Sequence, residues 1–159
     1  MTDSYIWQKV RQRFLDTVFK DAEGNEIEVF LKELDDDGNV IELKNVVDPN
    51  DMEKREDLAS KDNIWFEIFP LHSQPFQQEL GTAGRNRWNF GLQININSPR
   101  DMGTYDIDSV YDSIAAQFKR GDIFDGIRVL QTAYRSSARL QDDYYSEPVT
   151  VMVQADLTN

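Results

Sequence analysis

The chain has 159 residues, with 17 Lys and Arg against 29 Asp and Glu, one histidine, no cysteine and a formal net charge of −12. That length suits a single domain, 1–159, with a core of its own, and the lack of cysteine excludes disulfides, thiolate zinc sites and cysteine nucleophiles. So acidic a balance argues against nonspecific binding to DNA or to an anionic membrane surface.

The first residues, MTDSYIWQKVRQRF, lack the apolar centre of a signal peptide, and no stretch nears the ~20 apolar residues of a membrane span. The expectation is an intracellular protein that stays out of the membrane. Residues 4–20 predict an amphipathic helix, with Ser4 as N-cap and Trp7, Val10, Phe14 and Val18 recurring at steps of three and four. Ile6 and Leu15 widen that stripe, while Lys9, Arg11 and Arg13 fall on its exposed side and read as a solubilising surface. The turn-forming run DAEGN at 21–25 stops the helix.

The acidic surplus is concentrated next. Residues 21–62 hold fifteen Asp and Glu against five Lys and Arg, so 15 − 5 = 10 of the 12 excess negative charges lie there. Within that segment the alternating runs EIEVFLKEL and VIELKNV flank DDDGN, which predicts an acidic hairpin with a loop of about five residues. DDDGN lacks the alternating ligands, sixth-position glycine and twelfth-position glutamate of a calcium loop, so no metal is expected. The charged, proline-punctuated residues 48–63 read as a surface loop or short helix. The surplus itself reads most simply as a solvated surface.

IWFEIF at 64–69 is apolar on both faces, which places it inside a sheet or under a helix, and Pro70 is expected to end it. The sole histidine, His72, sits in the following loop without a G-x-S-x-G nucleophile elbow anywhere in the chain. Gly81 and Gly84 are not followed by Lys and Ser or Thr, so they do not form a phosphate loop and read as a flexible arm. The longest unbroken period then occupies 85–97, RNRWNFGLQININ, with Trp88, Phe90, Leu92, Ile94 and Ile96 on one side and polar residues on the other. At ~3.3 Å per residue such a strand reaches roughly 40 Å, beyond what one small core requires.

After the turn SPRDMGTYD, the residues Ile107, Val110, Tyr111, Ile114, Ala115 and Phe118 recur at helical spacing. Thr104 or Asp106 is placed to cap this second helix, Asp108 and Asp112 lie near its positive end, Lys119 and Arg120 near its negative end, and Gly121 is placed to supply the left-handed stop. A strand at 127–134, a loop through Asp142, Asp143 and Pro148, and a last strand with Val149, Val151, Val153 and Ala155 on one face complete the chain. The fold class that results is α+β: a twisted, mixed but largely antiparallel sheet of four to five strands, two main helices on one face, and the acidic hairpin and loop as an insertion at about 21–62.

No catalytic constellation stands out. Adjacent carboxylates are expected by chance among 29 acids, and acid–base work needs two carboxylates in different environments. Tyr144 and Tyr145 beside Asp142 and Asp143 read as a partly exposed loop. Arg85 and Arg87, on the polar side of the long strand and beside Trp88, suit a subunit interface better than a base-stacking platform, given the net charge.

Arg87, then Gly91, Gln93 and Ile94 in the alternating strand, Pro99 and Gly103 in the turn, FKRG at 118–121, and the approach through Pro148 to the strand VTVMV carry a resemblance. Over about residues 64–157 the chain resembles the tail-terminator proteins of long-tailed bacteriophages and related phage tail-component families. The resemblance implies a mixed sheet with packed helices and a hexameric ring on the last layer of the tail tube. Such a ring stops tube growth and meets the head-completion proteins, as a structural part of the virion with no enzymatic activity and no cofactor. Its partners would be its own copies, the tail tube protein and a head-completion or neck protein, with DNA only as passing cargo. A ring needs two different patches that meet, and Arg85, Arg87 and Trp88, or the turn at Arg100, are the interface residues expected to meet acidic surface on the neighbour. Two other readings fit the same residues: another neck or tail-completion component of the same fold, and an acidic DNA mimic that inhibits a nucleic-acid enzyme. The acids of 21–62 show no regular period, which counts against mimicry, and one histidine with no motif counts against a hydrolase.

Overall fold

The computed structural model describes residues 3–20, 23–26, 31–34, 36–38, 40–43, 46–47, 64–72, 76–77, 85–99, 105–140 and 144–158. They form helix α1 (Asp3–Leu15), strands β1 (Leu31–Leu34), β2 (Val40–Leu43), β3 (Val46–Val47), β4 (Trp65–Leu71), β5 (Phe76–Gln77) and β6 (Arg85–Pro99), helix α2 (Tyr105–Gln117), and strands β7 (Ile123–Phe124), β8 (Ile127–Arg135), β9 (Arg139–Leu140) and β10 (Tyr144–Thr158). The main sheet runs β3-β4-β6-β10-β8-β7; β5 joins β6 beyond the end of β4, and β9 joins β10 beyond the end of β8. Only β3 and β4 run parallel; the other pairings among the described strands are antiparallel. The class is α+β, with more strand in the sheet path than the four to five expected.

The organising unit is the pair β6 and β10. Both are 15 residues long and match without a slip from Arg85 opposite Thr158 to Pro99 opposite Tyr144. Their alternation sets the faces as the period requires. Phe90, Leu92, Ile94 and Ile96 from β6 lie with Val149, Val151, Val153 and Ala155 from β10 in one buried cluster. Phe66 and Ile68 of β4 and Ile127, Val129 and Ala133 of β8 extend that cluster, and both helices cover it through Ile6, Val10 and Phe14 of α1 and Ile107, Val110 and Ile114 of α2, with Phe118 just past α2.

Helix α1 stops sooner than its sequence stripe. The Thr17 amide donates to the Phe14 carbonyl at 3.1 Å, a tightened last turn, and Val18, expected on the apolar face, is 53% exposed. Phe19 fills the place instead, 2% exposed and stacked on Phe66 at 5.5 Å. The reversal is pinned by the Lys20 amide donating to Ser113 Oγ at 2.9 Å.

Among the described residues, two prolines sit short of the ends of strands. Pro70 does not end β4, which continues to Leu71 opposite Gly91. Pro148, expected in a loop, lies within β10 opposite Asn95. The missing N–H of Pro148 is tolerated because β10 changes partner there: β8 leaves at Arg135 opposite Val149 and β9 begins at Arg139 opposite Ser146. In that gap the Pro148 carbonyl accepts from the Ser136 amide at 2.8 Å. The turn between β7 and β8 is Asp125–Gly126, with φ of 49° and 79°. Asp-Gly between two apolar residues is a strong two-residue hairpin signal, and it accounts for a strand, β7, that the periodicity had not marked. Gly121 takes the left-handed conformation expected after α2, with φ of 90°. The caps expected at Thr104 and Asp106 concern a residue outside the described set and a side chain outside it.

β1 and β2 pair only with each other among the described strands, Leu31 opposite Leu43 and Leu34 opposite Val40. The exposed residues 36–38 lie between them, with Gly38 at φ 81°. The remainder of 21–62 is largely outside the described residues, as are Gly81 and Gly84.

Candidate assembly interface

On the side of β6 and β10 away from the helices, cross-strand register builds rows of polar side chains. Asn89 faces Gln154, and Gln154 Nε2 donates to Asn89 Oδ1 at 2.9 Å. Gln93 Nε2 donates to Asn95 Oδ1, also at 2.9 Å. An amide both donates and accepts, so these pairs satisfy one another without placing charge on the face. Between the rows lies Gly91. A β-carbon there would stand 2.9 Å from Leu71 Cβ and 3.2 Å from Met152 Sδ, so the position is glycine because two neighbouring side chains close over it.

The face changes character at its two ends. Towards Pro99 it is buried: Trp65 is 1% exposed and packs edge-on against Tyr144 at 5.2 Å, and Asn97 Nδ2 donates to the buried Glu67 at 3.2 Å. Towards Arg85 it is open and charged. Arg87 donates from Nε to Asp156 Oδ1 at 2.8 Å and from Nη2 to Oδ2 at 3.1 Å, a bidentate fork across the strands. That hydrogen bond raises the guanidinium pKa above its ordinary value.

Of the four expected interface residues, the structure brings Arg85 and Arg87 to the same end of the ribbon, Arg85 being placed by register opposite Thr158. Trp88 falls on the other face, half-buried against the core, so it does not share a surface with Arg87. Arg100 lies outside the described residues. Among the described side chains, the long strand thus supplies one cation, Arg87, and its partner Asp156 belongs to its own subunit.

Beside Arg87 is a cleft of about 210 Å³ lined by Arg87, Ile123, Gly126, Arg128, Gln154 and Asp156. The Asp125–Gly126 turn holds Ile123 opposite Arg128, which brings a second arginine and an apolar side chain, 64% exposed, to the same rim. Sequence periodicity did not single out either residue; the Asp-Gly signal was the available clue.

Two other arginines are structural. Arg13, expected on a solubilising surface, clamps the helices together: its Nε donates to the Gln117 carbonyl and the Gln117 amide returns a bond to the Arg13 carbonyl, both at 3.0 Å. Its guanidinium lies 4.5 Å from the Phe124 ring centre and 3.5 Å from Asp122. Arg135 donates to both oxygens of the buried Glu147, at 2.8 Å for Nη2, and pairs with Asp108 at 2.8 Å while lying over Tyr111 at 5.0 Å. Hydrogen bonding to Glu147, opposed by desolvation, raises the Arg135 pKa well above its ordinary value. His72 is exposed, its ring edge-on to Phe90 at 5.5 Å.

No family model matches the chain, and no curated protein does. Six solved chains match in structure; one of them superposes with a TM-score of 0.50 at 14% sequence identity, over 72% of this chain and 78% of its own. At that identity the likeness concerns the fold alone.

Proposed function

We propose that this protein is a structural subunit of a long-tailed phage virion, forming a ring at the head-proximal end of the tail tube that stops tube growth and joins it to the head-completion proteins. The observation that carries the reading is the β6–β10 ribbon: thirty residues in continuous register, covered by helices on one face and presenting amide pairs on the other. Interfaces are depleted in charge at their centre and ringed by polar contacts. A face of this composition, bordered by an arginine-bearing end, suits tiling against other subunits.

The second support is charge segregation. Ten of the twelve surplus negative charges fall in 21–62. In this reading that segment is an acidic hairpin and loop, and it supplies a patch unlike the arginine end of the ribbon, as a head-to-tail ring requires. A lumen of negative sign would also let DNA pass without adhering.

Native mass spectrometry and negative-stain imaging of the purified chain, alone and with the tail tube protein, test the proposal. Closed rings that cap the tube and halt its elongation are expected. A chain that stays monomeric with tube protein and leaves elongation unchanged would refute it.

A further inference from the structure

The exposed side chain of Arg128 makes no hydrogen bond or ion pair with the described residues, although it shares a cleft with Arg87 and Asp156. The Arg87 and Asp156 charges cancel through their bidentate contact, so Arg128 leaves the cleft with a net charge of about one positive unit. At about 210 Å³ it is too small for a cofactor-sized ligand, for which roughly 300 Å³ is the lower bound. It fits a single side chain. A carboxylate matches the vacant guanidinium fork in shape and charge, and Ile123 at the rim offers apolar contact. A polyanion is a poor match, because Asp156 lines the same cleft and the protein carries a net charge of −12.

The structure also offers a donor. Asp36 and Asp37 are exposed where β1 and β2 join, in the segment that holds most of the surplus acid. An isolated two-stranded pair is marginally stable by itself, so it gains from docking on another surface. We infer that the Arg128 cleft is the socket of a head-to-tail contact between two copies of this chain, filled by a carboxylate from the 21–62 segment of the next copy. The inference rests on the ring reading above and moves the decisive cation from the long strand to β8, since Arg87 is held by Asp156.

The test uses the full chain and four variants: Arg128→Glu, Ile123→Asp, Asp36→Lys with Asp37→Lys, and the three charge reversals combined. Native mass spectrometry across a dilution series reads the subunit contact, and circular dichroism confirms folding. Arg128→Glu and the aspartate pair should each raise the dissociation constant of the contact by about tenfold at physiological salt, as reversal turns attraction into repulsion. Ile123→Asp should weaken it as well, and the combined variant should recover most of the loss. Assembly by Arg128→Glu at wild-type concentrations, or no recovery in the combined variant, overturns the socket while leaving the ring reading intact. Open chains or dimers that depend on Arg128 sustain the socket and defeat the ring. A wild-type chain that is monomeric at all concentrations, both alone and with tail tube protein, defeats both.

Discussion

The two faces of the central ribbon are made from alternate residues of the same strands, yet they are held together by different physics. Beneath the helices, Phe90, Leu92, Ile94 and Ile96 are all 0% exposed, and their contribution is removal of apolar surface from water, about 25 cal/mol per Å². On the other face Asn89, Gln93 and Gln154 are half-buried and held in pairs by side-chain hydrogen bonds, each with a small net effect because water competes for the same groups. One face therefore determines whether the chain folds, and on the other the paired amides are free to be chosen for what they meet.

Breaking the core face should give the largest effect. Phe66 is fully buried and touches Phe14 edge-on at 5.3 Å and Phe19 in a stack at 5.5 Å, so Phe66→Ala should cost about 3 to 5 kcal/mol in chemical denaturation. Gln93→Ala, one strand position from the core on the same ribbon, should cost under ~0.5 kcal/mol; a comparable loss at both sites would dissolve the distinction between the faces. The Arg135 cluster sits next in size. Glu147 is 6% exposed, and Arg135→Met strands its carboxylate away from its bidentate partner, for a loss of about 2 to 4 kcal/mol. Arg135→Met with Glu147→Leu should recover most of that in a double-mutant cycle, because the stranded charge is then gone.

Gly91→Val probes the seam of the polar face. The added carbons meet Leu71 and Met152, and the expected destabilisation is about 1 to 3 kcal/mol; Leu71→Ala should relieve it. Smallest of all is Ser98→Ala. Ser98 Oγ is buried without a hydrogen-bond partner, so its removal should leave the denaturation midpoint unchanged or raise it by up to ~1 kcal/mol equivalent. A clear drop would mean that the hydroxyl has a partner in the folded protein.

The elements legible in the sequence were those whose pattern is repeated many times. Six alternations in β6 and five helical recurrences in α2 leave little choice of period. What failed to show were features decided by a single residue's tertiary partner. Val18 continues the α1 stripe in sequence, but the chain turns before reaching it and Phe19 takes the core position. Arg13 reads as a surface cation because nothing local announces Gln117 as its partner, and nothing local links Arg135 to Glu147 or Asp108. For the interface, sequence placed the cations at one end of the long strand. The occupancy of Arg87 by Asp156, 69 residues away, and the exposure of Arg128 are consequences of strand pairing. Gly91 likewise becomes informative only once Leu71 is laid across it.

The place of β10 in the sheet bears on how the protein is made. It lies between β6 and β8 although it follows both in the chain, so a nascent polypeptide that has not yet cleared the ribosome through residue 158 holds two strands with nothing to join them. Until then the greasy side of β6 has no finished shelter. Synthesis at the usual pace of ~5 to 20 residues per second leaves that state standing for seconds, long enough for chaperones to act on it and for truncated products to clump.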